Sequence, residues 1–279
     1  MTFSIVVRSA DGGAFGVAVA SKFLAVGTAV PAAEIEVGAL ATQSWANLAY
    51  RPQGLTMLRT GTSAADAVAG LTAADPGREH RQLGVVARDG EGATFTGAEC
   101  QPWAGGVAGD GYAIQGNILT GPEVVDAMRD AWLDGDTGEP VARRLLRALA
   151  AGDRAGGDRR GRQSAALLVV RRGGGYGGTS DVEVDLRIDD HPDPVTELAR
   201  LLDLHELYFT RPDPATLLAL TGELAEEVRE RLHALGHPSE AGDPASLDAA
   251  LARWAGAENL EERLAAGHID PVVLRMLRG

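Results

Sequence analysis

The sequence predicts an α+β fold, with antiparallel sheets covered by helices and a small all-helical module after them. Three observations carry that prediction. Short Val/Ala-rich segments bounded by glycine come in pairs, whereas parallel crossovers would place a helix between successive strands. Amphipathic helical patterns also come in couples, between those strand pairs. Beyond Arg211 the strand pattern stops and only 3–4 apolar spacing remains.

Thr2 to Arg8 opens the chain with period-2 alternation of Phe3, Ile5 and Val7. Asp11-Gly12-Gly13 then makes a hairpin turn into a strand at Ala14–Ala20. Leu24–Val30 and Val37–Gln43 are read as two further strands. Two helices follow, the second opened by Ser63-Ala64-Ala65-Asp66, a capping pattern. Leu83–Arg88 and Ala93–Thr96 form another hairpin around Asp89-Gly90, and Tyr112–Leu119 another strand. Thr120-Gly121-Pro122-Glu123 starts a helix with Val125, Met128 and Trp132 on one face, and Val141, Leu145 and Leu149 line the next. A Gly/Arg-rich loop, Gly152–Arg162, leads to a strand at Ser164–Val170. Val182, Val184, Leu186 and Ile188 alternate in the last strand, and Pro192 and Pro194 begin a helix. Pro212 and Pro214 mark a linker, so the domains are expected at 1–209 and 210–279. The module's helices carry Leu217 to Leu235, then Leu247, Leu251 and Trp254, then Val273, Leu274 and Leu277.

The whole chain narrows the function classes. A net charge of −13 over 279 residues argues against nucleic acid as a partner, because phosphate neutralisation needs a basic surface. No apolar run approaches a membrane span, and Met1-Thr2-Phe3-Ser4 lacks the basic and apolar regions of a signal peptide. The single cysteine, Cys100, excludes an internal disulfide, and a reducing cytoplasm fits best. Of the 26 Lys and Arg residues, Lys22 alone is lysine, a compact charge whose pKa shifts more readily than that of arginine.

Thr2 is the first candidate for chemistry. Removal of the initiator methionine would make it the N-terminus, where one residue supplies a hydroxyl nucleophile and an α-amine base of pKa near 8. Lys22, just past the strand expected to pair with the first, either brings a positive charge to Thr2 or is a solvated turn residue. Asn117 beside Gly116 is placed to donate to an oxyanion, and Gln43 and Ser44 to orient a substrate amide; capping and turn roles compete for all three. The loop Asp158–Ser164 holds three arginines. In one reading Arg160 grips a substrate carboxylate, and in the other it pairs with Asp158 at the surface. Asp189-Asp190-His191 is read as closing a strand, ordering Arg187 or Arg160 and capping the next helix, since neighbours on a strand diverge. No metal or cofactor is expected.

Several segments carry a family resemblance. Thr2-Phe3-Ser4-Ile5-Val6, Gly16-Val17-Ala18-Val19-Ala20-Ser21, Ala25-Val26-Gly27, Ala41-Thr42-Gln43-Ser44 and Gln115-Gly116-Asn117 are joined by two longer motifs. These are Gly157-Asp158-Arg159-Arg160-Gly161-Arg162-Gln163-Ser164-Ala165-Ala166 and Asp189-Asp190-His191-Pro192-Asp193-Pro194. Over residues 2 to about 208 the chain resembles a bacterial family catalogued as a domain of unknown function and grouped by fold with the Ntn (N-terminal nucleophile) hydrolases. Leu232-His233-Ala234-Leu235-Gly236-His237 and Trp254–Glu261 are similar to a peptidoglycan-binding-like module often appended to that family. The resemblance implies a four-layer αββα sandwich. On the reading of the residues themselves, the site is expected to use Thr2, Lys22, Asn117 and secondarily Ser4, with Gln43, Ser44, Gln115, Asp158, Arg160, Gln163 and Ser164 toward substrate. The expected activity is hydrolysis of an amide in a small peptide, acylated amino acid or cell-wall fragment, by a homodimer. A non-catalytic binding protein on the same fold and a wall-associated scaffold are the alternatives.

Overall fold

β1 (Thr2–Arg8) is buried on both sides, and its alternating side chains fill two different cores. Phe3, Ile5 and Val7 pack on one face and Val6 on the other. The computed structural model describes residues 2–279. Met1, with its expected removal, lies outside them.

Asp11 accepts from Gly13 N at 2.9 Å and shapes the turn into β2 (Ala14–Ser21). Then follow β3 (Pro31–Glu34), β4 (Gly38–Ser44), α1 (Tyr50–Arg59), α2 (Ala64–Ala73), β5 (Arg81–Ala87) and β6 (Gly92–Thr96). Next in order are β7 (Gly105–Gly109), β8 (Tyr112–Asn117), α3 (Glu123–Leu133), α4 (Val141–Arg154), β9 (Ser164–Arg171), β10 (Val182–Ile188) and α5 (Pro194–Phe209). Two antiparallel sheets result, in the orders β10-β9-β2-β1-β8-β7 and β3-β4-β5-β6. They face one another across Val6, Val17, Val19, Ala39, Ala41 and Val86. Helices α3 and α4 cover the larger sheet through Met128, Leu145 and Leu149, and α1 and α2 cover the smaller through Leu58, Val68 and Leu71. This is the four-layer αββα sandwich. Ser63 caps α2 by accepting from Asp66 N at 3.1 Å, while the Asp66 carboxylate accepts from the Ser63 hydroxyl.

Leu24–Val30 and two unforeseen strands, β3 and β7, depart from the sequence reading. Leu24–Val30 is not a strand: Ala25 has φ 52° and Val26–Thr28 is a single 3₁₀ turn. Ala25 N donates to Asp189 O and Val26 N to Ser164 Oγ, so its amides leave any ladder. A Cβ on Gly27 would lie 2.5 Å from that of Ala166, which lets this turn sit against β9. β7 (GGVAG) was unforeseen, because three glycines in five residues hide a strand. The two compact units divide inside α5, at Met1–Leu202 and Asp203–Gly279, where the sequence reading put the break after residue 209.

The second unit contains β11 (Leu218–Ala219), α6 (Gly222–Ala234), α7 (Pro244–Ala257), β12 (His268–Ile269) and α8 (Pro271–Arg278). The two-residue strands pair antiparallel, an addition to the purely helical pattern. Trp254 is buried with Leu247, Leu251, Val228 and Leu274 in this unit's own core. Arg263 donates to Asp270 at 2.6 Å and to Glu206 O at 2.7 Å, tying the end of α5 to the cap of α8. Among the described residues no helix is long and apolar enough to cross a membrane.

Candidate active site

A cavity of about 770 Å³ opens in the first unit where β1 begins and β4 and β8 end. That volume is in the range of small-molecule sites. Thr2, Gln43, Ser44, Asn117 and Arg160, all expected at a site, line it. One wall is apolar, formed by Phe23, Val26, Ala29 and Val30 with Trp45, Ala46 and Leu48; His80, Glu99, Gln101 and Arg160 contribute polar groups. Trp45, Phe23 and Leu48 are more than half exposed, at 73%, 54% and 52%. Large apolar side chains left this open beside a cavity mark a surface that contacts something. Ser44 (φ 66°) and Ile118 (φ 51°) adopt left-handed backbone in the lining. For a β-branched residue this conformation is strained by roughly 1–3 kcal/mol, and such strain concentrates at functional sites.

Thr2 enters the cavity because it is the first residue of β1, on the strand face that points at the other sheet. Its Oγ1 shares a hydrogen bond of 3.1 Å with Ser21 Oγ, at the end of β2. Behind it lies a buried network of uncharged side chains. Gln82 Nε2 donates to Gly116 O (2.7 Å), Thr96 Oγ1 (2.9 Å) and Gly105 O (3.2 Å). Its Oε1 accepts from Gln43 Nε2 and Asn117 Nδ2, both at 2.9 Å. Gln43 Nε2 also reaches Thr2 O and Gln115 O at 3.3 Å, and its Oε1 accepts from Ser4 Oγ at 2.7 Å. Gln115 Nε2 donates to Ser4 Oγ at 2.6 Å. A Cβ on Gly84 would lie 1.9 Å from Gln115 Oε1, so this packing requires glycine there. The bonds from Gln82 and Gln43 to Ser4, Asn117 and the backbone of Thr2, Gly105, Gln115 and Gly116 bridge the two sheets. Those of Gln82 with Thr96 and Gln43, and of Gln115 with Ser4, tie strands within a sheet; together they fix the floor under Thr2.

The remaining expected residues lie outside the lining. Ser4 and Gln115 are fully buried in the network. Lys22 is exposed, and its ammonium donates to Arg162 O at 3.3 Å rather than sitting at Thr2. The Asp158 carboxylate is buried and accepts from Lys22 N (2.7 Å), Arg160 N (2.8 Å) and Arg160 Nη2 (3.3 Å). It therefore braces the loop that carries Arg160 against the end of β2. Ser164 Oγ donates to Phe23 O and accepts from Val26 N, holding the apolar wall. Gln163 binds Asp190 at 3.1 Å. The Asp189-Asp190-His191 trio diverges: Asp189 O accepts from Ala25 N, and His191 Nδ1 accepts from Asp193 N. Arg187 forms its ion pair with Asp185 and also feels the charge of Asp189, and Arg160 pairs with Asp158. Cys100 is buried, its thiol donating to Arg81 O. Among the described residues no three His, Cys, Asp or Glu side chains group to hold a metal ion.

The loop bearing Trp45 is anchored from below. Arg81 donates to Trp45 O at 2.6 Å and to Asp75 at 2.9 Å. Asp75 also accepts from Tyr50 Oη (2.9 Å), Asn47 Nδ2 (3.1 Å) and Gly77 N (2.8 Å). The Arg81 guanidinium, with those other donors, holds the Asp75 carboxyl well below the usual carboxylate range. Burial, then the neighbouring Asp75, pushes the Tyr50 phenol above its ordinary value.

Sequence reasoning missed Gln82, Ser21, Trp45, Phe23, His80, Glu99 and Gln101. Gln82 alone left a signal, a long polar side chain two residues before Gly84 and four before Val86, on their strand face. Ser21 reaches Thr2 as the last residue of β2, and the others are brought together by the meeting of loops.

Comparison with known proteins follows the two units. A family model described as "Family of unknown function (DUF1028)" matches residues 2–198. One described as "Putative peptidoglycan binding domain" matches residues 208–277. Among solved structures, protein SPO2555 from Silicibacter pomeroyi, itself assigned to DUF1028, is 33% identical with a TM-score of 0.66. That similarity covers 81% of this chain and 89% of the other. The ancestral β-subunit Anbu from Yersinia bercovieri is 11% identical with a TM-score of 0.34, over 72% of this chain and 93% of that one. No curated protein matches the chain.

Proposed function

We propose, from the premise that this chain belongs to the DUF1028 family, that its first domain hydrolyses an amide with Thr2 as an N-terminal nucleophile. One observation carries the reading: Thr2 opens a strand buried on both faces, in the wall of the cavity, over a fixed floor. Rigid placement of a nucleophile beside its substrate is itself a large part of catalysis.

Once Met1 is removed, the Thr2 α-amine takes the Oγ1 proton as Oγ1 attacks the substrate carbonyl carbon. The tetrahedral intermediate collapses, the C–N bond breaks, and the departing nitrogen takes that proton from the α-ammonium. Water, deprotonated by the same amine, then cleaves the Thr2 ester and releases the acid. The network under Thr2 is uncharged, so the free α-amine is the titrating group of this scheme. Lys22, held at Arg162 O, has no step in it. The apolar wall of Phe23, Trp45 and Leu48 takes an apolar group of the substrate, and Arg160 takes a carboxylate. Such a ligand is an acylated amino acid or a short peptide. The similarity of residues 208–277 to a peptidoglycan binding domain favours a peptide derived from the cell wall.

The test is hydrolysis of a panel of N-acyl amino acids, short peptides and wall-derived peptides by wild type, Thr2→Ser and Thr2→Ala. Activity that survives in Thr2→Ser and disappears in Thr2→Ala supports the reading. If Thr2→Ala cleaves as well as wild type, the nucleophile is not Thr2. If nothing on the panel is cleaved but ligands bind equally to all three, the cavity is a binding site.

A further inference from the structure

We infer that Ser21 is a positioning residue for Thr2: its hydroxyl holds Thr2 Oγ1 in one direction and donates to that oxygen when it carries charge. That role rests on the proposed reading of Thr2 as an N-terminal nucleophile.

Strand register brings the two hydroxyls together. Phe3 pairs with Ala20, so the next pair outward is Thr2 with Ser21, where β1 begins and β2 ends. Residues opposite one another on antiparallel strands share a sheet face, and their side chains meet there. Both are buried, and their hydroxyl oxygens lie 3.1 Å apart. Ser21 is itself held from the far side, since it pairs with Ser164 of β9 and its carbonyl accepts from Gln163 N at 3.2 Å. A side chain fixed by strands on both flanks keeps its place better than one on a loop. The other cross-strand neighbour of Thr2 is Asn117. That carboxamide directs its Nδ2 to Gln82 Oε1 at 2.9 Å and to Thr2 O at 3.5 Å, so its N–H bonds serve the floor.

The bond to Ser21 favours the Thr2 rotamer that turns Oγ1 toward β2. On that side Ser164 holds the apolar wall through Phe23 O and Val26 N. The direction of donation follows from the chemistry. A hydroxyl has one hydrogen to give. In the proposed reaction the Thr2 hydrogen passes to the α-amine, so Ser21 must then be the donor of the shared bond. In the second half, water adds to the ester carbon and the C–Oγ1 bond breaks. Oγ1 leaves with the electron pair and takes a proton from the α-ammonium. Until that proton arrives, the Ser21 O–H stabilises the negative oxygen, and a hydrogen bond to a charged atom is stronger than one to a neutral atom. The effect of Ser21 therefore falls most heavily on release of the acyl group.

The test uses p-nitrophenyl acetate on the full chain, as wild type, Ser21→Ala and Ser21→Thr. Its p-nitrophenolate departs without needing a proton, which leaves hydrolysis of the acetyl ester as the slow step. The acetylated chain is followed by intact mass, mapped to the Thr2 peptide and told from an acetylated amine by its cleavage with hydroxylamine. Thr2 χ1 is read separately, from three-bond couplings of its methyl group by NMR. Wild type should form and hydrolyse a Thr2 acetyl ester and show a single χ1. In Ser21→Ala the ester should still form, its hydrolysis should slow about tenfold, and χ1 should spread over several rotamers. Ser21→Thr keeps a hydroxyl and should restore both; if it does not fold, Ser21→Ala decides. An unchanged hydrolysis rate or an unchanged χ1 in Ser21→Ala overturns the inference. A wild-type chain with no hydroxylamine-labile acetyl group at Thr2 refutes the nucleophile instead. The χ1 measurement then decides on Ser21 alone, which is upheld as the holder of Thr2 if χ1 spreads in Ser21→Ala and rejected if it does not.

Discussion

Replacing Gln82 by leucine removes the centre of the network while keeping nearly the same volume. Five hydrogen bonds, from 2.7 to 3.2 Å, are lost at once. Gln43 Nε2 keeps Thr2 O and Gln115 O, so it is not orphaned. Asn117 Nδ2 keeps only the 3.5 Å contact to Thr2 O, and Gly116 O loses its shortest side-chain donor. Two buried polar groups left short of partners destabilise by roughly 1–3 kcal/mol each. The more apolar leucine returns about 1 kcal/mol of that. The expected net loss is roughly 1–5 kcal/mol, read as a lower urea midpoint with an unchanged slope. Gln82→Glu sharpens the test. A carboxyl at that site has its pKa raised by burial above the unfolded value near 4.3. Its native state is then supported below about pH 4 and weakened as pH rises through the folded pKa. A loss under about 1 kcal/mol for Gln82→Leu, or a Gln82→Glu variant indifferent to pH, would refute the claim that this network organises the site.

Three further outcomes follow from the same structure. Asp75 has a lowered folded pKa, so its contribution is present above the unfolded value near 3.9 and is lost as pH falls below it. Urea midpoints measured from pH 3 to 7 should fall at the acid end for wild type and show a shallower acid slope in Asp75→Asn. Arg160→Lys replaces a planar fork by a point charge and should weaken binding of N-acetyl-leucine by roughly tenfold in calorimetry; unchanged affinity would remove Arg160 from the site. A chain ending at Leu202 should unfold cooperatively, whereas one ending at Tyr208 keeps a piece of the second unit's core, since Leu207 and Tyr208 pack with Trp254 and Leu251. Aggregation of the shorter chain would show that the first unit needs the second.

The layers of the sandwich were legible because each strand and helix answers to a local period. Phe3, Ile5 and Val7 announce a strand whatever surrounds them, and Val125, Met128 and Trp132 announce a helix face. Leu24–Val30 defeated that logic: its apolar residues serve a cavity wall, and its turn depends on Ser164 and Asp189, far along the chain. β7 failed for the opposite reason, since its glycines carry no pattern to read. Thr2, Gln43, Ser44, Asn117 and Arg160 were legible as polar residues at strand ends and in a glycine-rich loop. Their roles were less so. The polarity of Asn117 is decided by Gln82, and the place of Lys22 by Arg162, partners that only the folded sheets and loops bring together.

In the proposed function, Thr2 is the N-terminal residue of the working protein and its nucleophile. Intact-mass analysis of wild-type chain before and after incubation with a hydrolysed amide tests it most directly. The expected result is a chain lacking Met1, with an acyl adduct trapped by acid quench and mapped to the Thr2 peptide. A fully active chain that retains Met1, or an adduct mapped elsewhere, would contradict it.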